Sequence, residues 1–378
     1  MGSKRVVIVA GEASADLHGA NLVLSMKKLD PGIRFFGIGD KEMEEAGVEI
    51  LFSSSEMAVV GITEVFARFP AILMAFSRMK SFLKETRPDL LILIDYPDFN
   101  IRLAGVAKRY NVPILYYISP QVWAWRKGRV KKIADRVDRM AVIFPFEEEF
   151  YRECNIDVEY VGHPLMDTIP HNPSKALALK ELGLEETSPV LGLLPGSRKE
   201  EVKNHLPAMV EAVEILASRY GGLQCVLPIA STIPKDLIFP IIEPSPVPIR
   251  TTGGMLGKSL AACDLALVTS GTATLETAIA GIPMIVVYKL SPLSFWLGKR
   301  IVKVPFISLV NLVAGEMVVP ELIQDDVNPQ RLAEESVLLL EDGTRRINMV
   351  KDLERVKERL GKGGASERAA RIAVDMIR

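Results

Sequence analysis

The sequence predicts an α/β protein of two Rossmann-like domains, each built on a parallel sheet. Three observations carry this. Short β-rich runs alternate with longer helical patterns through the first half. A stretch with three prolines and two histidines interrupts that rhythm at 162–174. The rhythm then restarts and ends in a tail that reads as helices alone. With 378 residues, at roughly 150 per domain, the chain is long enough for two cores. The expected boundaries are 1–168 for the first α/β domain, 169–344 for the second α/β domain, and 345–378 for a helical tail. That tail can return to the first domain or swap into a partner chain. Ligands are expected outside the carboxyl ends of the strands, in a central cleft that the two domains face.

Taken in order, the strands expected in the first half are 5–10, 33–38, 90–95, 114–118 and 140–144. Helical patterns such as 16–29 and 69–85 lie between them. After the 162–174 linker come strands at 190–194, 224–228, 265–269 and 284–288. Helices are expected over about 199–220 and 272–280, and throughout 329–378. There is no fixed-period repeat and no low-complexity tract.

Composition narrows the function. The net charge of −1 argues against a general nucleic-acid binder. The three cysteines, Cys154, Cys225 and Cys263, are far apart, so neither a disulfide framework nor a thiolate zinc motif is expected. The four histidines include no H-E-x-x-H pair. The apolar run 5–10 is stopped at once by Gly11 and Glu12, too soon for an export signal. No run reaches the roughly 18 apolar residues of a spanning helix. A cytoplasmic protein, soluble or peripheral to a membrane, is the expectation.

Five motifs fall at predicted strand ends. In T-S-G-T-A-T-L-E (269–276), Gly271 permits a tight turn and a helix opens near Thr272. Free N–H groups and the helix dipole make such a terminus an anion site, with Ser270, Thr272 and Thr274 as added donors. Glu276, one turn on, is placed to accept from ribose hydroxyls. Ser270 or Thr272 could instead merely cap the helix. In L-L-P-G-S-R-K-E (193–200), Ser197 and Glu200 are spaced as a capping box. Arg198 then falls in the first turn, where a cation opposes the dipole. Such a cost points to neutralising a phosphate.

In A-G-E-A-S-A-D (10–16), Gly11 allows close backbone approach, but G-x-G-x-x-G is absent. Ser14 and Asp16 could simply cap the helix, whereas Glu12 sits in the crossover loop. D-Y-P-D-F-N (95–100) ends a buried strand on Asp95, a candidate general base, with Asp98 second. From 119 to 139 the chain is aromatic, then basic. Trp123 and Trp125 precede seven Lys or Arg, set against Asp135 and Asp138. This suits an anionic lipid headgroup or phosphorylated substrate, nucleic acid, or a solvated helix, and the near-neutral net charge disfavours nucleic acid. The apolar segments 57–76 and 291–320 are either core or a bilayer-docking surface.

Together with P-F-E (145–147), V-G-H-P (161–164) and N-L-V-A-G (311–315), these motifs resemble those of the lipid-A-disaccharide synthases. They occur in order from residue 10 to beyond 315, and W-A-W-R is specific to that family. The resemblance implies a two-domain glycosyltransferase of the GT-B type acting without metal or other cofactor. The implied donor is UDP-2,3-diacylglucosamine and the implied acceptor is 2,3-diacylglucosamine 1-phosphate (lipid X). The products would be a β-1,6-linked disaccharide 1-phosphate and UDP. It further implies peripheral association with the inner membrane of Gram-negative bacteria. Asp95 or Asp98 would be the base, and Arg198 would stabilise the leaving UDP. Gly11, Glu12, Ser14, Asp16, Ser197, Ser270, Gly271, Thr272, Thr274, Glu276 and Asn311 would line the ligand sites. Ala15 stands where the family usually has glycine. A homodimer through the C-terminal tail, an epimerase or cell-wall transferase of the same fold, and a non-catalytic nucleotide-binding membrane protein are the alternatives.

Overall fold

The computed structural model describes residues 3–57, 62–120, 127–168, 174–254, 256–291, 295–296 and 304–378. Trp123, Trp125 and Arg126 lie outside them, as do 58–61, 292–294 and 297–303 of the two apolar segments. The chain forms two compact units: Met1–Asp167 with Leu360–Arg378, and Thr168–Arg359.

Unit 1 holds a seven-stranded, wholly parallel sheet. Its strands are β1 (Arg5–Ala10), β2 (Arg34–Gly39), β3 (Val48–Ser53), β4 (Leu90–Ile94), β5 (Ile114–Tyr117), β6 (Arg139–Val142) and β7 (Val158–Tyr160). Their order is β3-β2-β1-β4-β5-β6-β7. Strand β4 is buried along its whole length, as its unbroken apolar run requires in a sheet covered on both faces. Strands β3 and β7 lack that signal. They lie at the two edges, mix polar with apolar residues, and were not expected from the sequence.

Unit 2 holds a six-stranded parallel sheet, β10-β9-β8-β11-β12-β13. The strands are β8 (Val190–Leu194), β9 (Gln224–Ile229), β10 (Ile249–Gly253), β11 (Leu265–Thr269), β12 (Met284–Tyr288) and β13 (Glu321–Ile323). The expected β8, β11 and β12 match residue for residue. Edge strands β10 and β13 were again not expected.

In both sheets the order reverses once, between β1 and β4 and between β8 and β11. These are the topological switch points, where open α/β sheets leave a crevice for ligands.

Two readings of the linker and tail change. Residues 162–168 are not linker. His163 is 4% exposed, its backbone N–H donates to Leu360 O at 2.9 Å, and Leu165 and Met166 are buried. The tail is not one segment either. Helix Gly343–Arg359 stays with unit 2, with Arg346 reaching Asp264 at 3.2 Å. Helix Ala365–Met376 belongs to unit 1 and packs on helix Ala13–Leu29. Ala365, Ala369, Ala370 and Ala373 let the helices approach closely. Arg368 Nε donates to Val161 O at 2.8 Å, and Asp167 accepts the Gly364 N–H at 2.5 Å.

Candidate active site

At the unit 1 switch point, β4 ends and the chain turns through Asp95 (φ 44°) and Tyr96 (φ 47°), both left-handed. Non-glycine residues rarely sit there, and two in succession need fixing from outside. Three hydrogen bonds do so. Asp95 N–H donates to Ile118 O at 3.1 Å, while its carbonyl accepts from Tyr116 OH at 2.6 Å and Asn100 Nδ2 at 2.7 Å. Pro97 then starts the helix Pro97–Arg109. Gly11, after β1, is needed here: a Cβ on it would overlap the Tyr96 ring.

The turn holds the Asp95 carboxyl in a largely desolvated place. Burial, then the negative charge of Glu12, push its pKa up to about 6, opposed by the Tyr96 N–H that bonds it. Asp98 differs. Its side chain is 78% exposed and ion-paired to Arg129. Of the two carboxylates, Asp95 is the one kept from water, and a raised pKa suits a group that exchanges protons. Asn100 and Tyr116, fully buried beneath the turn, were not singled out from sequence as parts of this site. The signal was an asparagine inside an otherwise apolar helix face, where a buried amide must find partners.

Glu12 is exposed and forms the N-terminal boundary of helix Ala13–Leu29 without a side-chain cap; Ser14 is exposed in its first turn. Asp16 neither caps that helix nor faces solvent. It is 2% exposed, and its two oxygens accept the N–H groups of Asp40 (2.7 Å) and Glu42 (3.0 Å). Its carboxylate caps the next helix, Lys41–Glu45. The basic stretch also thins out. Arg129 pairs with Asp98, Arg136 donates to Ile101 O at 2.6 Å, and Arg139 pairs with Asp157 and Glu159. Lys131 and Lys132 remain exposed.

At the unit 2 switch point, the loop after β8 turns at Gly196 (φ 112°), where a Cβ would overlap the Glu201 carboxylate. That carboxylate accepts the N–H groups of Ser197 (3.0 Å) and Arg198 (3.2 Å). The capping acid is thus Glu201, not Glu200, and Arg198 is the extended N-cap residue of helix Lys199–Arg219 rather than part of its first turn. The glycine turn lengthens the loop by one residue. Arg198 NH1 reaches Glu201 at 2.7 Å, and its side chain is 69% exposed. Ser197, also exposed, accepts through its carbonyl from Thr232 at 2.7 Å.

After β11, Gly271 (φ 156°, ψ −163°) adopts a glycine-only conformation and opens helix Thr272–Ile279 with no side-chain cap. The Thr274 N–H donates to Gly271 O at 3.1 Å, which leaves the N–H groups of Thr272 and Ala273 open to an anion. Thr272 is exposed at the first helical position. Ser270 Oγ donates to Ile307 O at 2.9 Å. Thr274 is fully buried and donates back to Gly271 O at 2.7 Å, so it stiffens the turn rather than offering a donor. Glu276 is half-buried, its carboxylate hydrogen-bonds no described residue, and burial raises its pKa. A carboxylate left thus needs a donor from elsewhere.

Asn311 is bonded inward. It is fully buried, and its amide is saturated. Nδ2 donates to Val319 O (2.9 Å) and Glu321 (2.8 Å), and Oδ1 accepts from Val318 N (2.9 Å) and Val319 N (3.0 Å). His205 was missed. It is fully buried at the base of the loops after β8, β11 and β12.

Among the described residues no helix is long and apolar enough to cross a membrane. The fold resembles the UDP-GlcNAc 2-epimerase of Neisseria meningitidis solved with UDP-GlcNAc (TM-score 0.66, 11% identity, 98% of this chain and 100% of that one). It also resembles MurG of Acinetobacter baumannii (TM-score 0.59, 12% identity, 98% and 99%). These likenesses establish a GT-B-like pair of sheets. Sequence reaches further. The lipid-A-disaccharide synthase of Geobacter metallireducens is 48% identical over 375 residues, 99% of this chain and 98% of that protein. The pattern of the lipid-A-disaccharide synthetase family matches residues 6–375, spanning both switch points and the returning C-terminal helix, and the chain belongs to that family.

Proposed function

We propose that the two switch points divide an inverting glycosyl transfer between them. Membership of the family makes the chain a glycosyltransferase of lipid A biosynthesis. The proposed donor is UDP-2,3-diacylglucosamine and the proposed acceptor is lipid X. An α-linked donor and a β-1,6 product require a single displacement. Asp95 removes the proton of the acceptor 6-hydroxyl as that oxygen attacks the donor's anomeric carbon. UDP departs on the opposite side. Arg198 and the uncapped N–H groups after Gly271 take up the charge on the diphosphate, which removes the need for a metal. Glu276 accepts from the ribose hydroxyls.

The observation that carries this reading is the Asp95 turn. A strained, clamped and desolvated carboxyl poised near pH 6 is costly, and it is suited to proton abstraction. The acyl chains and the membrane surface belong with helix Ile62–Thr86 of unit 1. There Phe69, Leu73 and Met74 are 54%, 52% and 63% exposed, an apolar stripe that water does not favour. The stripe supports the proposed peripheral docking at the inner membrane. The C-terminal helix packs within unit 1 of its own chain, as expected of a tail that returns to the first domain.

The test is UDP release from UDP-2,3-diacylglucosamine with and without lipid X, in EDTA, for the wild type and Asp95→Ala. Release that needs lipid X, survives EDTA and collapses in the variant supports the reading. Turnover of plain UDP-N-acetylglucosamine instead would move the chain to epimerase-like or cell-wall chemistry. UDP binding with no turnover of either donor would make it a binding protein.

A further inference from the structure

His205 sits in the second turn of helix Lys199–Arg219, fully buried, and no role in the transfer has been assigned to it. Its ring meets three different loops. Nε2 accepts the N–H of Lys289, just after β12, at 2.8 Å. That nitrogen therefore carries no proton, and Nδ1 carries it. Nδ1 lies 3.3 Å from Pro195 O, after β8, and 3.1 Å from Thr269 Oγ1, the last residue of β11. The neighbouring Asn204 Nδ2 donates to Lys289 O at 3.4 Å, so the Lys289 peptide is held on both sides. Burial lowers the His205 pKa, which keeps the ring neutral and both roles intact.

The loops so tied are those that carry Ser197 and Arg198 (after Pro195) and Ser270 and Gly271 (after Thr269). A buried ring serving only to fill space would be apolar. One bonding two strand ends and a third loop sets their relative positions to within a hydrogen-bond length. Diphosphate recognition depends on that spacing, since misplacement of about 1 Å is enough to lose much of a bound group's contribution.

We propose that His205 is a positioning residue that sets the register of the two diphosphate-contacting loops through the neutral Nδ1–H tautomer. This rests on unit 2 being the UDP site.

The experiment measures UDP binding by calorimetry, steady-state kinetics and thermal melting for His205→Ala, His205→Gln and Thr269→Val. Glutamine keeps an acceptor where Nε2 lies. The expected result is at least tenfold weaker UDP binding and a raised donor KM in His205→Ala. The acceptor KM should be unchanged, and His205→Gln should return UDP affinity to within about threefold of wild type. Thr269→Val leaves the helix untouched and should weaken UDP at least threefold, which keeps the test open if His205→Ala fails to fold. Folded His205→Ala with UDP affinity within twofold of wild type overturns the proposal. So does Thr269→Val without effect, or a loss of active fraction at constant KM. If the wild type itself does not bind UDP, it is the assignment of unit 2 that fails, and the proposal falls with it.

Discussion

The two switch points occupy the same place in two similar sheets, yet they are built from opposite materials. In unit 1 the chain turns on non-glycine residues, Asp95 and Tyr96, forced into left-handed backbone and clamped by Asn100, Tyr116 and Ile118. The groups there are acidic, and burial pushes a proton onto one of them. In unit 2 the turns are on glycines, Gly196 and Gly271, and no side chain fills the helix terminus that follows Gly271. The charge offered is positive, from Arg198 and from N–H groups. Holding an anion needs open, relaxed backbone whose dipoles face outward. Holding a base ready needs a group kept from water at a cost in strain and desolvation. One topology serves both because the crevice comes from strand order, while its chemistry comes from a few loop residues.

The largest expected effect lies in unit 1. Asp95→Asn should lower kcat by at least about 100-fold, as loss of a general base does, with UDP affinity unchanged. The same variant should be more stable at pH 8. A carboxyl raised from 3.8 to about 6 favours folding while protonated, and that advantage is lost as pH rises through about 6. Above that pH the charged form costs on the order of 3 kcal/mol, which the neutral amide avoids. Melting at pH 8 and at pH 3.5 separates the cases: a gain that persists at the lower pH would contradict a desolvated Asp95.

Next is unit 2. Arg198→Ala should lower kcat/KM for the donor by about 10- to 100-fold, and Arg198→Lys should recover only part of it, since lysine lacks the planar fork. An acceptor KM that moved equally would break the division between the units. The two buried asparagines should then part company. Asn311→Ala strands the N–H groups of Val318 and Val319, and should cost roughly 1–3 kcal/mol of unit 2 stability with donor KM unchanged in the folded fraction. Asn100→Ala should instead lower kcat, because it loosens the Asp95 turn. The smallest effect is electrostatic. The acidic limb of the kcat/KM profile should lie near pH 6, and Glu12→Gln should move it to lower pH by removing a charge that resists ionisation of Asp95. A limb unmoved by Glu12→Gln would leave desolvation as its sole cause.

Much of this was legible along the chain. The buried strands β4, β8, β11 and β12 announce themselves, because a strand covered on both faces must be apolar throughout. The motifs also marked the turns that follow such strands, at Asp95, Arg198 and Gly271. The edge strands were not, since half-exposed residues carry no comparable pattern. Asp16, Thr274 and Asn311 fall within the same motifs as the site residues but bond inward. A motif tells which residues cluster; it does not say which of their hydrogen-bonding groups the fold has already used.

The amino-acid order by itself determined the strand-and-helix rhythm, the two sheets, the motif-bearing strand ends and the family. These follow from local periodicity, turn chemistry and residue identity. Tertiary structure alone decided that Asp95 rather than Asp98 is desolvated, that the capping acid is Glu201, and that 360–378 completes unit 1. It alone set His205 beneath three loops. Each of these turns on which groups the fold brings within hydrogen-bonding reach or shields from water. That is a property of the packed chain, since water would otherwise satisfy the same donors and acceptors equally well.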